Sequence, residues 1–590
     1  MKCVWMLCVL CLLNLTVKAA AYHKREVERP CFVTANTTKI EFRKIILTDE
    51  QTQVDALLFG QPGDSCIVAS DTYLRYAGGR SLLREAEGVS IGGTNSVPVI
   101  GESGKQYITL SFAPLPAEVH TVDFVEPYHG WNIYDVQLVE TEPYVFIPEF
   151  LQTQVSSPCK ELPHPELKAG KAIINGYILG YEERMDMDVV FRFADWLLAN
   201  DWGQSVKIRS DGSFHIEQNL VIPCGAKIQI NRALLNLFLY PGEEITVYIH
   251  LPRLSMSASH LLGDRYRRLQ KAWYDGAGEE LNVELATWGY PLSVSAETGY
   301  EDATAGLSDD ELQSYINLRC NKLLSGVKKE KKAGEGYRDY VTTNLQINSA
   351  VLAGAAGRVD PSFKDSPFIR FGYDYVPYLQ YLERDENLSA DLWGDIKRAR
   401  SVYHDMVKYW KEDEEDKRQY AAITQPELKK YIDLRANNLR AVIERSISAK
   451  RCLVAEWDST LTGENILPAI IGPHKGKAIL VDFWATWCAP CRKSMHFTGL
   501  LKKKLPSDEM VYIYVTGPSS PSTTWRTVIN EINGIHYRVT ERQWDDLCRL
   551  YDIKGIPAYL IVNIDGEIHA RYVGFPGVGV LEDELRKAMQ

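Results

Sequence analysis

The chain has 590 residues, of which 45% are hydrophobic and 24% are charged, and its formal net charge is −11. This composition excludes a largely disordered chain, because it supplies enough apolar side chains for several cores. The length predicts about three or four domains, and the modest negative charge argues against nucleic acid as a partner.

The first residues have the pattern of a secretory signal peptide. Lys2 precedes an apolar run, Cys3–Val17, that is too short to span a bilayer and is followed by Lys18 and three alanines. We expect cleavage near Ala21, so that residues 1–21 form the signal peptide. Because Lys18 lies close to the cleavage site, a signal that stays uncleaved and anchors the protein is the alternative. The mature chain is therefore predicted to be periplasmic, with no membrane-spanning segment after cleavage.

Two β-rich units are predicted next, an all-β domain at residues 22–166 and a small β-sandwich-like domain at residues 167–256. Alternating runs such as Lys39–Leu47 and Gln106–Phe112 are separated by Gly, Pro and Asp turns in the first unit. Gly176–Tyr181 and Leu239–Val247 show the same pattern in the second. Neither unit carries a catalytic motif, so we expect a scaffold or a substrate-docking surface.

Residues 257–452 are predicted to be helical. Apolar residues recur at three- and four-residue spacing in Leu312–Leu318 and in Tyr431–Leu439. The mixed-sign clusters Lys328–Lys332 and Lys411–Arg418 are interpreted as solvated helix faces or loops rather than as a binding patch.

The clearest chemistry lies in residues 453–590. An apolar strand ending at Phe483 is followed by Cys488-Ala489-Pro490-Cys491, and Arg492–Leu505 is predicted to be a helix. Cys488 is therefore expected at a helix N-terminus, where unpaired N–H groups and the helix dipole favour the thiolate. A thiolate attacks disulfides, and a second thiol three residues later can resolve the mixed disulfide.

This pattern resembles the active site of thioredoxin-fold oxidoreductases, especially the exported TlpA-like subfamily. The resemblance implies that Cys488 attacks the substrate, that Cys491 resolves the intermediate and that Asp482 assists proton transfer. Because Asp482 lies in an otherwise apolar strand, its pKa is expected to be raised, although a carboxylate that only satisfies nearby backbone groups is the alternative.

A second segment, Gly555-Ile556-Pro557-Ala558, resembles the cis-proline loop of the same family. The resemblance implies a cis Ile556–Pro557 bond beside the cysteines, with Ile556, Pro557 and Trp487 contacting the substrate. A packing role for Trp487 is the alternative. Pro490 offers neither a charge nor an N–H group to the thiolate, which favours a reductant over an oxidant.

The chain departs from the family pattern in two places. The run Cys491–His496 lacks the glutamate and the proline of the usual C-R-x-E-M-P, so any part of that glutamate in proton handling is absent or moved. The stretch Gly517–Leu550 is an insertion relative to a minimal thioredoxin, of the kind that TlpA-like proteins carry, with a predicted helix Trp525–Ile532 and a predicted strand His536–Val539. The overall expectation is a multidomain protein with N-terminal all-β units, a helical middle region and a C-terminal α/β thioredoxin-like domain.

The remaining cysteines carry no recognisable spacing. Three of the 12 cysteines lie in the predicted signal, and two form the C-x-x-C. The other seven are expected to be mostly single buried thiols, with one or two structural disulfides left open.

Two classes of function remain. The first is an extracytoplasmic thiol–disulfide oxidoreductase, a reductase or isomerase of protein disulfides, which needs no cofactor beyond the redox-active disulfide Cys488–Cys491. Its partners would be exported disulfide-containing proteins and a membrane thiol-reducing donor. The second is a non-catalytic protein that captures a polypeptide or glycan. An inert cysteine pair, or half of a zinc site completed by His496 and Cys548, is a further alternative.

Overall fold

The computed structural model describes residues 24–590 except 93–96, 128–129, 163–166, 186, 188, 196–199, 297–299, 305, 356–393, 397, 400, 403–413, 449–451, 506–507, 521 and 530–531. The predicted signal peptide lies outside the described residues. Two compact units divide the chain: one takes Met1–Pro30, Lys39–Val122 and Gln137–Glu140, and the other takes Cys31–Thr38, Asp123–Val136 and Thr141–Gln590. Among the described helices, none combines the length and the apolar character needed to cross a membrane.

The N-terminal region is rich in strands. Its described strands are β1 (Arg25–Glu28), β2 (Thr34–Ala35), β3 (Ile40–Leu47), β4 (Thr52–Phe59), β5 (Ile67–Val68), β6 (Tyr73–Tyr76), β7 (Gly79–Glu87), β8 (Ser90–Ile91), β9 (Lys105–Phe112), β10 (Thr121–Glu126) and β11 (Trp131–Gln137). In the first unit, antiparallel pairing runs in the order β1-β3-β4-β9-β7-β6. In the second unit, β11 pairs antiparallel with β2. Alternation of apolar and polar residues buries one face of the first unit's sheet, including Ile45 and Val54.

A β-sandwich follows a short helix α1 (Glu149–Gln152). Its strands are β12 (Gly170–Leu179), β13 (Val189–Asp195), β14 (Asn200–Val206), β15 (Ser213–Leu220), β16 (Cys224–Ile230), β17 (Ala233–Leu239), β18 (Glu244–His250) and β19 (Ala272–Gly276). They form two four-stranded sheets, β15-β12-β18-β19 and β14-β13-β16-β17. Within the first sheet, the ring of Phe214 covers its cross-strand partner Gly176 so closely that a Cβ there would lie 1.9 Å from the ring.

The described residues of the middle region are mostly helical, but not entirely. Strand β19 falls inside residues 257–452 and pairs antiparallel with β18, so the all-helical prediction is wrong there. The described helices are α2 (Leu251–Ser257), α3 (Gly263–Tyr266), α4 (Glu279–Trp288), α5 (Tyr300–Thr304), α6 (Asp309–Lys329), α7 (Glu335–Ala355), α8 (Glu414–Ala422) and α9 (Pro426–Ser448). Helix α6 begins at a capping box formed by Ser308 and Glu311. Leu428, Tyr431 and Ile432 of α9 join the sandwich core.

The C-terminal domain is a six-stranded sheet with helices on both faces. Its elements are β20 (Cys452–Val454), α10 (Ile466–Ile471), β21 (Ala478–Phe483), α11 (Ala489–Lys504), β22 (Met510–Thr516), α12 (Ser522–Ile529), β23 (Gly534–Arg538), α13 (Glu541–Leu550), β24 (Ala558–Val562), β25 (Ile568–Val573) and α14 (Val578–Ala588). The strand order is β20-β23-β22-β21-β24-β25, with β24 and β25 antiparallel to their neighbours and the others parallel.

The two faces of this sheet have separate cores. Helices α11 and α14 pack on the face that carries Leu480 and Ile561, whereas α10 and α13 pack on the face that carries Val481 and Leu560. β21 is buried at every residue, because it is a central strand covered on both sides. The insertion contributes α12, β23 and α13, and the predicted helix and strand lie within a few residues of their observed positions.

Candidate active site

Both cysteines of the C-x-x-C lie at the start of α11 and are joined in a disulfide with a Cα–Cα distance of 5.2 Å. Cys488 is the N-cap of the helix, which confirms its predicted position, and its Sγ accepts a hydrogen bond from the Cys491 backbone N–H at 3.2 Å. Pro490 fits the first turn because its missing N–H would have no helical partner there. Cys488 is 3% exposed and Cys491 is fully buried.

Apolar and aromatic side chains surround the disulfide. Trp484, Trp525 and Ile529 are buried in one cluster with the two cysteines, and half-buried Trp487 and Ile556 pack against that cluster. Trp525 and Ile529 come from α12, so the insertion covers one side of the pair. The structure thus brings two of the three residues predicted to contact the substrate, Trp487 and Ile556, to the cysteines, while their contact with a substrate stays a prediction.

The proline loop lies where the sequence predicts it. The Ile556–Pro557 bond is cis, which confirms that prediction. Pro557 is buried, and its carbonyl accepts a hydrogen bond from the Gly574 N–H at 2.7 Å, at the start of the β24–β25 pairing. Since Ile556 packs against the cysteine cluster, this loop borders the disulfide.

Asp482 lies in the middle of the sheet, next to two tyrosines. Its cross-strand partners are Tyr514 on β22 and Tyr559 on β24, so all three side chains lie on the face that α11 covers. Asp482 is 1% exposed, and neither carboxyl oxygen has a hydrogen-bond partner among the described residues. Burial raises the pKa of Asp482 well above its usual range, and the Lys502 ammonium opposes this only in part, so the predicted direction is confirmed.

A partly buried lysine stands near the far end of α11. Lys502 Nζ donates a hydrogen bond to the Tyr514 hydroxyl at 2.7 Å and lies 4.8 Å and 4.9 Å from the ring centroids of Tyr512 and Tyr514. Burial lowers the pKa of Lys502 to about 8, although Asp482 acts in the opposite direction. His536 stacks on Tyr514 at 4.9 Å, and burial lowers the pKa of this histidine to about 4.

A chain of two hydrogen bonds links β24 to the helix of the cysteines. The Tyr559 hydroxyl donates to Ser494 Oγ at 2.6 Å, and Ser494 Oγ donates to the Cys491 carbonyl oxygen at 2.8 Å. Ser494 lies in the run that lacks the family glutamate. Sequence reasoning found neither this pair nor Lys502, because both depend on strand register and on the face of α11 that meets the sheet.

The alternative zinc site gains no geometric support. Cys548 is half-buried against the core on the α10–α13 face of the sheet, in a different cluster from the C-x-x-C pair. The side chain of His496 lies outside the described residues. Within the described part of the chain, no group of three or more His, Cys, Asp and Glu side chains is placed to bind a metal ion. Six further cysteines form no disulfide; they are Cys31, Cys66, Cys159, Cys224, Cys320 and Cys548, while the side chain of Cys452 lies outside the described residues.

Residues 476–568 match the family model Thioredoxin_8, described as thioredoxin-like. The chain is 25% identical over 113 residues to the thiol-disulfide oxidoreductase ResA of Bacillus thuringiensis. The aligned residues make up 19% of this chain and 64% of that protein. It is 26% identical over 118 residues to the sporulation thiol-disulfide oxidoreductase A of Bacillus subtilis, covering 20% of this chain and 68% of that protein. Thioredoxin-1 of Caenorhabditis elegans is 29% identical over 118 residues, or 20% of this chain and 75% of that protein.

Solved structures also match about a fifth of the chain. The StoA structure from Bacillus subtilis is 24% identical, covers 19% of this chain and 84% of that chain, and has a TM-score of 0.17. The match to the ResA protein spans less than two thirds of its length. Residues 476–568 of this chain are thus thioredoxin-like, and about a fifth of the chain is similar to thiol-disulfide oxidoreductases.

Proposed function

We propose that this protein is an extracytoplasmic thiol–disulfide oxidoreductase that acts on protein disulfides through Cys488 and Cys491. The observation that carries the proposal is the bonded cysteine pair at the N-terminus of α11, with the orphaned carboxyl group of Asp482 in the strand that leads to it. A helix N-terminus favours the Cys488 thiolate, and a buried acid with a raised pKa suits a base that takes a proton from a thiol.

The reaction starts from the dithiol form. Cys488 Sγ attacks one sulfur of a substrate disulfide; a new sulfur–sulfur bond forms and the other substrate sulfur leaves as a thiolate. Cys491 then gives its proton to the ionised form of Asp482 and attacks Cys488 Sγ, which releases the second substrate sulfur as a thiolate and re-forms the Cys488–Cys491 disulfide. Two electrons pass from the dithiol to the substrate, and a thiol-reducing donor must return them for the next turnover.

The location and the partners are part of the proposal. Export to the periplasm is supported by the signal-peptide pattern of residues 1–21, and the substrates and the donor would then be exported or membrane-bound proteins. No cofactor besides the disulfide is required for this chemistry. The β-rich and helical regions are proposed as the surface that positions a substrate.

Reduction of insulin by the full-length protein with dithiothreitol tests the proposal. The parent should accelerate precipitation of the insulin B chain, and Cys488→Ser should abolish the acceleration, because no nucleophile remains at the N-cap. Ser substitution at the buried Cys224, which forms no disulfide, is the matched control and should leave the rate unchanged. Equal rates for the parent and Cys488→Ser would rule out the proposed enzymatic function and favour a non-catalytic binding protein.

A further inference from the structure

Helix α12 leaves the attacking cysteine almost no exposed surface. Cys488 is only 3% exposed, and Trp525 and Ile529 of α12 are buried in one cluster with it. In disulfide exchange, a sulfur of the partner molecule must come into contact with Cys488 Sγ. The position of α12 therefore limits which partner molecules can bring a sulfur to the pair.

The loop that leads into α12 is fastened beside the cysteines. Ser520 Oγ accepts a hydrogen bond from the Thr486 backbone N–H at 3.0 Å and shares another with the Thr516 hydroxyl at 2.7 Å. Arg538 Nε donates to the Ser520 carbonyl oxygen at 3.1 Å. Ser520 is completely buried, and Thr486 stands two residues before Cys488. The start of α12 is thus tied to the turn that carries the nucleophile.

The segment after α12 is held as well. His536 Nε2 donates to the Ile532 carbonyl oxygen at 2.9 Å, and Lys502 Nζ donates to the Asn533 carbonyl oxygen. Helix α9, which also contributes to the sandwich core, packs against α12. A helix that is fastened at both ends and packed against a second helix is a fixed cover rather than a mobile flap.

We propose that α12 is a steric filter, which lets Cys488 exchange with small molecules and extended peptide segments but hinders exchange with sulfurs on folded protein surfaces. The inference rests on the proposed function and adds the substrate class to it. Besides α12, the half-buried Trp487 and Ile556 border the pair, so the remaining approach to Cys488 is narrow. An extended segment fits a narrow approach, whereas a folded surface presents neighbouring residues that would collide with α12.

The rate at which dithiols of different size reduce the protein's own disulfide tests the filter. The thiolate of the reductant attacks Cys488 Sγ, and Cys491 leaves as a thiolate. The second thiol of the reductant then displaces Cys488, so that the reductant becomes a disulfide and two electrons have passed to the pair. The oxidised full-length protein is mixed with dithiothreitol, a short unstructured C-x-x-C peptide or a reduced thioredoxin. After an acid quench and alkylation, peptide mass spectrometry gives the reduced fraction of Cys488 and Cys491.

In the parent, reduced thioredoxin should act more slowly than the peptide at equal concentration, although its reactive thiol has a pKa of only about 7. Trp525→Ala should raise the rate constant for thioredoxin by roughly tenfold more than the constants for the two smaller dithiols, because the reacting sulfurs can then reach contact. Ser520→Ala should act in the same direction, since the loop before α12 loses its fastening. It should add little in the Trp525→Ala protein, where the cover is already open.

Trp457→Ala is the matched control. Trp457 is a half-buried tryptophan of the same domain that packs on a different cluster from the cysteines, so its loss should leave the ratio of the thioredoxin rate to the peptide rate unchanged. If Trp525→Ala does not fold, Ser520→Ala takes its place. The filter is overturned if thioredoxin reduces the parent as fast as the peptide does, or if the variants change all three rates by the same factor. A parent that shows the size dependence but does not reduce insulin would instead overturn the proposed function.

Discussion

As the pH rises, the C-terminal domain of the Asp482→Asn protein should gain stability relative to the same domain of the parent. Asp482 is almost completely buried without a described hydrogen-bond partner, and burial raises its pKa. Above the pKa of about 3.9 of an unfolded Asp, the unfolded chain has lost this proton while the folded chain still holds it. The folded state then binds more protons, so its stability falls with pH until the folded-state pKa is passed.

The size of the effect follows from linkage. Each pH unit between the unfolded and the folded pKa costs about 1.4 kcal/mol of unfolding free energy, which corresponds to roughly 5 °C in Tm for a domain of this size. The introduced amide would lack hydrogen-bond partners at every pH, so only the pH dependence of the difference between Asp482→Asn and the parent carries the information. The pH range should be 5 to 7.5, below the Lys502 pKa of about 8.

Scanning calorimetry of the oxidised proteins measures this difference, with the C-terminal transition identified as the one that shifts on reduction of Cys488–Cys491. His536, whose pKa burial lowers to about 4, makes stability rise with pH in the same range, but it does so equally in both proteins. Glu582→Gln is the control: Arg586 and Lys504 lower the pKa of Glu582, so its contribution is constant above pH 5. If the difference in Tm between Asp482→Asn and the parent does not change from pH 5 to 7.5, the conclusion that buried Asp482 keeps its proton in the folded state is refuted.

Three other outcomes are expected. In the reduced protein, iodoacetamide should alkylate Cys488 before Cys491, with an apparent pKa below about 8.5 in a peptide-mapped pH series, and the reverse order would exchange their roles. Trp525→Leu should raise the rate of that alkylation several-fold, because α12 then covers the pair less completely, whereas an unchanged rate would show that access lies elsewhere. Glu284→Ala should lower the free energy of unfolding by roughly 2–4 kcal/mol in urea melts, because it leaves the buried backbone N–H groups of Cys159 and Gly334 without their acceptor. The control is Glu280→Ala at an exposed position, which should leave the free energy of unfolding almost unchanged.

Much of the structure of the C-terminal domain could be predicted from short-range sequence patterns. The strand before Cys488, the helix that starts there and the cis bond at Pro557 all follow from short-range patterns of apolar residues and proline. The burial of Asp482 follows from its apolar neighbours in the same strand. These features are determined within about a dozen residues, so the linear pattern is enough to predict them.

Features that depend on register were not predictable in this way. Tyr514 and Tyr559 flank Asp482 only because β22 and β24 pair with β21 at one particular alignment. Lys502 precedes two further lysines and has the pattern of a solvated helix end, yet its face of α11 meets the sheet. Strand β19 is a short segment between helices, and it forms because β18 offers an open edge. Each of these three features is determined by contacts with residues that are distant in the sequence.

The central claim is that Cys488 is the nucleophile of a dithiol–disulfide exchange. Its most direct test is the reduced Cys491→Ser protein incubated with insulin, followed by peptide mass spectrometry without reducing agent. Because this protein cannot resolve the intermediate, we expect an insulin cysteine bonded to Cys488, and no such adduct in Cys488→Ser. An insulin adduct on another cysteine, or none at all, would contradict the account.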